Sequence, residues 1–267
     1  MLYFVATPIG NLKDISQRAK EVLSSVDYVA CEDTRRTLNL LNAYEIKKPL
    51  VAYHKFNERT AGEKLIEDLK KGKNIALVTD AGMPVISDPG NILTGMLIEN
   101  GLEYTVVPGA CAFVSALVLG GLDASKFCFL GFLPDKKGEK IKFLEKYKKL
   151  DLTLVFYSAP HDLNKNLQAM YEVFGERKAV TVREITKLHE ERQEFKLSAD
   201  IDIDARGEYV VLVEGFSGEE NDLNLLSEEE HYKHYINLGY DKKEAIKIVA
   251  KERGVSKSSL YKYTIDA

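Results

Sequence analysis

The sequence predicts an α/β protein of two sheet domains followed by a small helical module, and three observations carry that prediction. Short apolar runs alternate with amphipathic segments as far as residue 119, the pattern of a mostly parallel sheet with right-handed crossovers. Beyond residue 122 several strand-like runs follow one another with connections too short for a crossover helix, so a mixed sheet is expected. After Gly218 the composition turns helical and locally basic. The expected divisions are 1–119 for an N-terminal α/β domain, 122–218 for a mixed α/β domain and 225–267 for a module of helix-turn-helix type. A chain of 267 residues is long enough for more than one core.

Residues 2–6 form a strand that ends in the tight turn Thr7-Pro8-Ile9-Gly10-Asn11. Asp14 with Gln17 reads as a capping pair, and Ile15, Ala19, Val22 and Leu23 fall on one helical face. A second strand, 28–31, delivers Glu32-Asp33-Thr34-Arg35-Arg36 to its carboxyl end before a helix through Asn42. A third, 50–53, leads through His54-Lys55-Phe56-Asn57-Glu58-Arg59 into a helix. Thr60 with Glu63 reads as that helix's cap, Leu65, Ile66 and Leu69 as its buried stripe, and Gly72 as its stop.

The apolar run 74–78 is a buried strand, and residues 79–90 behind it read TDAGMPVISDPG. Two glycines, two prolines and two carboxylates shape this loop and forbid either neighbour from extending through it. Loops at the carboxyl ends of strands in open α/β sheets are where ligands sit. A helix over 89–100, a strand over 104–107 and Pro108-Gly109-Ala110-Cys111-Ala112 entering an apolar helix complete the domain, with a hinge at Gly120-Gly121-Leu122-Asp123.

The second domain opens with a strand over 127–132 and a lysine-rich segment over 135–149. A strand over 152–157 and a helix over 162–174 follow, then strands over 179–185, 194–197 and 209–214. In the terminal module Ser227 with Glu230 and Asp241 with Glu244 read as capping boxes, Ala245, Ile248 and Val249 as a buried face, Gly254 as a break and Ser256 as the cap of a last helix.

The net charge of −4 provides no global attraction to nucleic acid, so such a partner requires a local basic surface. One occurs in the terminal module: Lys242, Lys243, Lys247, Lys251, Arg253, Lys257 and Lys262 stand against Glu244 and Glu252, a net of +5. Cys31, Cys111 and Cys128, widely spaced among apolar or small neighbours, read as reduced core thiols. His231 and His234 lie one turn apart with no third ligand nearby, so they read as solvated surface and no metal site is expected. The opening MLYFVATPIGNL carries no basic leader and the glycine-rich run 109–122 is too short to span a bilayer, so the expectation is a cytoplasmic protein with no membrane partner.

No strand-to-helix turn carries GxGxxG, and neither GxxxxGK[ST] nor GxSxG occurs, which removes the fingerprints of dinucleotide binding, P-loop phosphoryl transfer and acyl transfer. Seven other stretches appear in order: Thr7-Pro8-Ile9-Gly10-Asn11-Leu12; Glu32-Asp33-Thr34-Arg35; 80–90; Pro108-Gly109 with Ser115-Ala116-Leu117; Gly131-Phe132-Leu133-Pro134; 157–161; and 183–191. Together they resemble the motifs of the tetrapyrrole methylase superfamily, and more narrowly its ribosomal RNA branch, over nearly the whole chain. The chain departs from the usual pattern at Met83, Ala110 and Ser158-Ala159.

The resemblance implies a two-domain methylase with S-adenosylmethionine between its domains, a homodimer, and 2′-O-methylation of a cytidine in small-subunit ribosomal RNA, free or in the assembled subunit. It assigns the cofactor to Pro8, Asp80, Gly82, Met83, Cys111, Ala112, Tyr157 and Ile185. For deprotonating a ribose hydroxyl the residues offer Glu32, Asp33, His54, Glu58, Glu184, Lys187 and His189, among which the cluster Arg183, Glu184 and Lys187 is favoured, with Lys187 as base or positioner. Arg35, Arg36, Lys55 and Arg59, with Lys251 and Lys257 of the terminal module, are the candidate RNA contacts. Two other functions fit the same residues: methylation of a tetrapyrrole or other small molecule, and a DNA-binding regulator acting through the terminal module.

Overall fold

A computed structural model of the chain describes residues 1–203, 205–217, 226–237 and 239–264. Strands β1 (Leu2–Val5), β2 (Tyr28–Cys31), β3 (Leu50–Ala52), β4 (Ile75–Val78) and β5 (Tyr104–Val107) alternate with helices α1 (Gln17–Ser25), α2 (Thr34–Ala43), α3 (Glu58–Lys70), α4 (Asn91–Glu99) and α5 (Ala112–Gly120). They form one sheet in the order β3-β2-β4-β1-β5, every pair parallel. Residues that alternate along these strands fill two cores, one on each face, as a sheet covered on both sides requires.

The second sheet has the order β6-β7-β10-β8-β9, from β6 (Phe127–Phe132), β7 (Thr153–Ser158), β8 (Lys178–Arg183), β9 (Glu191–Lys196) and β10 (Tyr209–Val213). Its β6–β7 pair is parallel and the rest are antiparallel, which makes it the mixed sheet the short connections require. Helices α6 (Lys137–Glu145) and α7 (Leu163–Phe174) cover one face. The other face is covered by α5, the last helix of the first series: Ala116 and Leu117 pack with Val155, Val180, Val210 and Leu212. Gly120 permits this approach, because a Cβ there would stand 2.1 Å from Leu212 Cδ1. The two sheets thus belong to one compact unit, Met1–Gly215, and Phe216–Ala267 is a second; the expected domain end at Gly218 lies outside the described residues.

Local starts differ from the sequence reading where two caps compete. Ser16, not Asp14, caps α1, accepting from the Ala19 N–H at 3.1 Å. The start of helix α3 falls three residues ahead of the expected cap, at Asn57 in place of Thr60, because Asn57 already folds the chain: its Oδ1 accepts from His54 N–H (2.8 Å) and its Nδ2 donates to Ala52 O (3.1 Å).

In the second unit, α8 (Glu228–Asn237), α9 (Lys242–Arg253) and α10 (Lys257–Leu260) enclose a small core of Tyr232, Ala245, Ile246, Val249, Ala250 and Leu260. Ile246 takes the buried place expected of Ile248. Ser227 and Glu230 cap each other reciprocally, Asp241 caps α9 and Gly254 ends it in the left-handed region. His231 corrects the reading of a solvated pair, for it is fully buried. Its Nδ1 accepts from Arg253 Nε at 2.9 Å and its Nε2 lies 2.9 Å from Glu252 Oε2, so the ring is a satisfied core histidine. Among the described residues no cluster of three metal-ligating side chains occurs, and no helix is long and apolar enough to cross a membrane.

Candidate active site

The carboxyl ends of β1, β2, β4 and β5 and the facing ends of β6, β7, β8 and β10 surround one cavity of about 470 Å³. Strand β10 runs antiparallel, so its amino end, Tyr209 and Val210, reaches the same rim as Ser158 and Arg183.

The first turn and the central loop are clasped together. Thr7 N–H donates to Gly82 O (2.9 Å), Gly82 N–H returns to Thr7 O (3.1 Å), and the Thr7 hydroxyl donates to Thr79 O (3.2 Å). Gly82 holds φ of +82°, a conformation glycine adopts without penalty, and a Cβ there would crowd Ile9. Gly109 lies so close to Ala6 that a Cβ would stand 2.9 Å from the alanine methyl. Backbone is therefore presented to the cavity at Gly82, beside the apolar Ile9, Met83, Ala112 and Ile185.

One wall is acidic. Glu32 leaves the end of β2, while Asp33 turns back to cap α2, accepting from Arg35 N–H (2.8 Å) and Arg36 N–H (3.4 Å). Asp80 is held by its neighbours: Asp33 N–H donates to its Oδ1 (3.3 Å) and Arg36 Nη1 to its Oδ2 (2.9 Å). Asp88 lines the cavity beside them, and burial, with the Glu32 and Asp80 carboxylates adding to it, pushes its pKa up to about 7. Burial and Asp80 raise Glu32 as well.

The opposite wall holds a cation. Lys187 Nζ donates to Glu184 Oε1 (2.9 Å) and Glu208 Oε2 (3.0 Å), and Glu184 Oε1 also accepts from Glu208 N–H (2.9 Å). Burial disfavours the ammonium, yet the two carboxylates outweigh it, so Lys187 sits above the ordinary lysine range. Burial likewise works against the Glu184 carboxylate, and Lys187 reverses the balance and holds it below the ordinary range. Glu184 and Thr186 both have left-handed backbone, φ 49° and 66°, which is rare for residues with side chains and a genuine outlier for a β-branched one. Thr186 is secured by its hydroxyl, which donates to Asp14 Oδ2 at 2.5 Å.

Seven of the eight residues expected at the cofactor line this cavity: Asp80, Gly82, Met83, Cys111, Ala112, Tyr157 and Ile185. Pro8 is buried beneath the first turn, and Ile9 takes the lining place. Glu184 and Lys187 meet there, but Arg183 does not join them. It pairs with Glu191 at 2.8 Å in a separate cleft shared with Gln193 and Asp202, because successive strand residues point to opposite faces. Arg36 reaches the cavity, while Arg35, Lys55 and Arg59 are exposed and do not line it. Lys251 and Lys257 are exposed in the second unit, Lys251 beside a shallow groove with Tyr240 and Lys247. The sequence left Glu208 unnoticed, for it belongs to none of the seven stretches, and Asp88 stood only as one of the two carboxylates of the 79–90 loop; its signal was burial between other carboxylates, which no linear pattern reveals. Cys111 lines the cavity and so is not a core thiol, whereas Cys31 is buried as expected.

The fold is that of the two-sheet α/β methylases. It is shared with solved structures of diphthine synthase (TM-score 0.61, 17% identity, 80% of this chain and 89% of that one) and of a cobalt precorrin-4 methyltransferase from cobalamin biosynthesis (TM-score 0.57, 17% identity, 80% and 94%). The chain belongs to the family of tetrapyrrole (corrin/porphyrin) methylases, whose family model matches residues 1–199. It is accordingly a methyltransferase that uses S-adenosylmethionine. Among its relatives are proteins named ribosomal RNA small subunit methyltransferase I from Bacillus subtilis (45% identical, 98% of this chain and 92% of that one) and Pseudomonas aeruginosa (40%, 99% and 96%). The cavity fits this cofactor: glycine backbone at Gly82 admits close approach, and apolar side chains beside it suit a flat adenine ring.

Proposed function

We propose that the chain methylates the ribose 2′-hydroxyl of a cytidine in small-subunit ribosomal RNA. The observation that carries the ribosomal RNA part of this reading is the full-length likeness to relatives named ribosomal RNA small subunit methyltransferase I, over 98% and 99% of the chain; the cytidine and its 2′-hydroxyl are the finer proposal. The cavity's chemistry supports it. S-adenosylmethionine, when bound, supplies a methyl group already activated on sulfur, and Asp80, Gly82, Met83, Cys111, Ala112, Tyr157 and Ile185 are the residues that would hold it, with Pro8 shaping the turn from beneath. The residues' own task is then to align an oxygen and to manage its proton and charge.

Lys187, fixed between Glu184 and Glu208, orients the acceptor hydroxyl and offsets the negative charge that develops on its oxygen. Because the ammonium is held charged, Lys187 acts as a positioner and not as a base. Arg183, paired with Glu191 outside the cavity, lies apart from the reacting groups. The exposed cations Arg35, Arg36, Lys55 and Arg59 meet RNA phosphates around the rim, and Lys251 and Lys257 of the helical module add contacts of their own. A homodimer in the cytoplasm belongs to the same reading: helix α5 leaves Val114 and Val118 exposed, the latter by 79%, as an apolar face for a second copy.

The test is methyl transfer from labelled S-adenosylmethionine to small ribosomal subunits from cells lacking the protein, followed by nucleoside mass analysis. One new 2′-O-methylcytidine supports the reading. Label that enters a tetrapyrrole, or no nucleoside, refutes it.

A further inference from the structure

Five carboxyl groups line the cavity, and the structure commits three of them. Asp80 accepts from Asp33 N–H and Arg36, and Glu184 and Glu208 bracket Lys187. Glu32 and Asp88 hold no ion pair among the described residues, so they are the acids left facing the reaction space. Asp88 is the one presented by a strained turn. Val85 and Ser87 both have left-handed backbone, φ 76° and 67°, and such strain in side-chain-bearing residues concentrates at functional sites. The turn is locked from behind, where a Cβ on Gly90 would stand 2.8 Å from Val85 Cγ2. The buried Thr79 hydroxyl lies beside the Asp88 carboxyl and favours its ionised form.

We propose that Asp88 is the proton acceptor of the methyl transfer. The proposal rests on the ribose-hydroxyl reading above. The O–H bond breaks and its proton passes to an Asp88 Oδ while the oxygen bonds to the methyl carbon. The carbon–sulfur bond opens with its electron pair left on sulfur, a neutral thioether departs, and Asp88 later returns the proton to water. A carboxyl group with pKa of about 7 is suited to this task, being part ionised at neutral pH and basic enough to assist a weakly acidic hydroxyl. Besides burial, the groups that set this value are the Glu32 and Asp80 carboxylates, which raise it, and the Thr79 hydroxyl, which lowers it; Tyr157 also faces Asp88, and Arg36 and His54 act on Glu32 from α2 and the β3–α3 segment.

The experiment is single-turnover methyl transfer to small subunits across pH, with calorimetric binding of S-adenosylhomocysteine and a carbon-13 NMR titration of labelled aspartate carboxyls in the same proteins. Wild-type rate should rise with pH through about 7 and then level, and one aspartate should titrate there. Asp88→Asn should lose that resonance and about 10²–10⁴ in rate, and still bind S-adenosylhomocysteine. Glu32→Gln should move the rate midpoint to lower pH by removing a neighbouring negative charge, a displacement that a structural role for Asp88 would not produce. Asp88→Asn within about tenfold of the wild-type rate, or no aspartate titrating near neutrality, overturns the proposal. Should Asp88→Asn fail to bind S-adenosylhomocysteine, an unmoved midpoint in Glu32→Gln overturns it. A wild-type protein that methylates no RNA refutes the ribose reading and this role together; an active wild type beside an active Asp88→Asn refutes the role alone.

Discussion

Lys187 lies across Gly10 with no room for a side chain between them: a Cβ on Gly10 would stand 2.4 Å from Lys187 Cγ and 2.8 Å from its Cε. The bare backbone of the first turn is thus the surface on which the lysine stem rests, and it fixes where the ammonium meets Glu184 and Glu208. Gly10→Ala should therefore displace Lys187 by about an ångström and lower methyl transfer by roughly 10–100-fold, with S-adenosylhomocysteine affinity little changed. Calorimetry beside single-turnover kinetics checks this, and an unaltered rate would separate the turn from the chemistry.

The charge state of Lys187 has a consequence for pH. A lysine whose pKa is higher folded than unfolded contributes its full stabilisation below the unfolded value, about 10.4, and loses it as pH rises through the folded value. Lys187 is therefore an ammonium throughout the neutral and mildly alkaline range. Lys187→Ala should cost about 10²-fold in rate, by a factor that stays constant between about pH 7 and 9. A base with an alkaline pKa predicts the reverse, a wild-type rate still climbing at pH 9 where the account has it level.

Cys111 offers a reporter for cofactor placement. It lines the cavity at the start of α5, and burial raises its thiol pKa, so alkylation should be slow without ligand. S-adenosylhomocysteine should slow it by a further order of magnitude or so, leaving Cys128 unaffected. Mass spectrometry of maleimide-treated protein reads both sites, and equal labelling of Cys111 with and without ligand would place the cofactor elsewhere.

Seating of α5 on the second sheet makes a stability prediction. Gly120→Ala drives a methyl into Leu212 Cδ1, an overpacking worth about 1–3 kcal/mol. The melting temperature should fall by roughly 2–4 °C per kcal/mol. Gly138→Ala, where a Cβ meets nothing within 4 Å, is the matched control and should leave it nearly unchanged.

The strands and most helices were legible because their periodicities are local properties: Leu65, Ile66 and Leu69 fall on one helical stripe whatever surrounds them, and all three are buried. Cavity-lining stretches were legible as ordered loops at strand ends. What the chain conceals is pairing at a distance. Arg183 and Lys187 are four residues apart yet sit in different clefts, since strand alternation ends at Arg183 and left-handed backbone at Glu184 and Thr186 then redirects the chain. Glu208 reaches Lys187 only because β10 lies beside β8 in antiparallel register, with Tyr209 opposite Arg183. His231 was read as solvated for the same reason: Glu252 and Arg253, which satisfy its ring, arrive from another helix.

The central claim, ribose methylation of a single cytidine, is tested most directly by alkaline hydrolysis of small-subunit ribosomal RNA from cells deleted for the gene and complemented with wild type or Lys187→Ala. A 2′-O-methyl group removes the hydroxyl that alkaline cleavage requires. The account predicts one cytidine that resists hydrolysis with the wild-type gene and is cleaved in the deletion and with Lys187→Ala. Identical ladders from all three strains would contradict it.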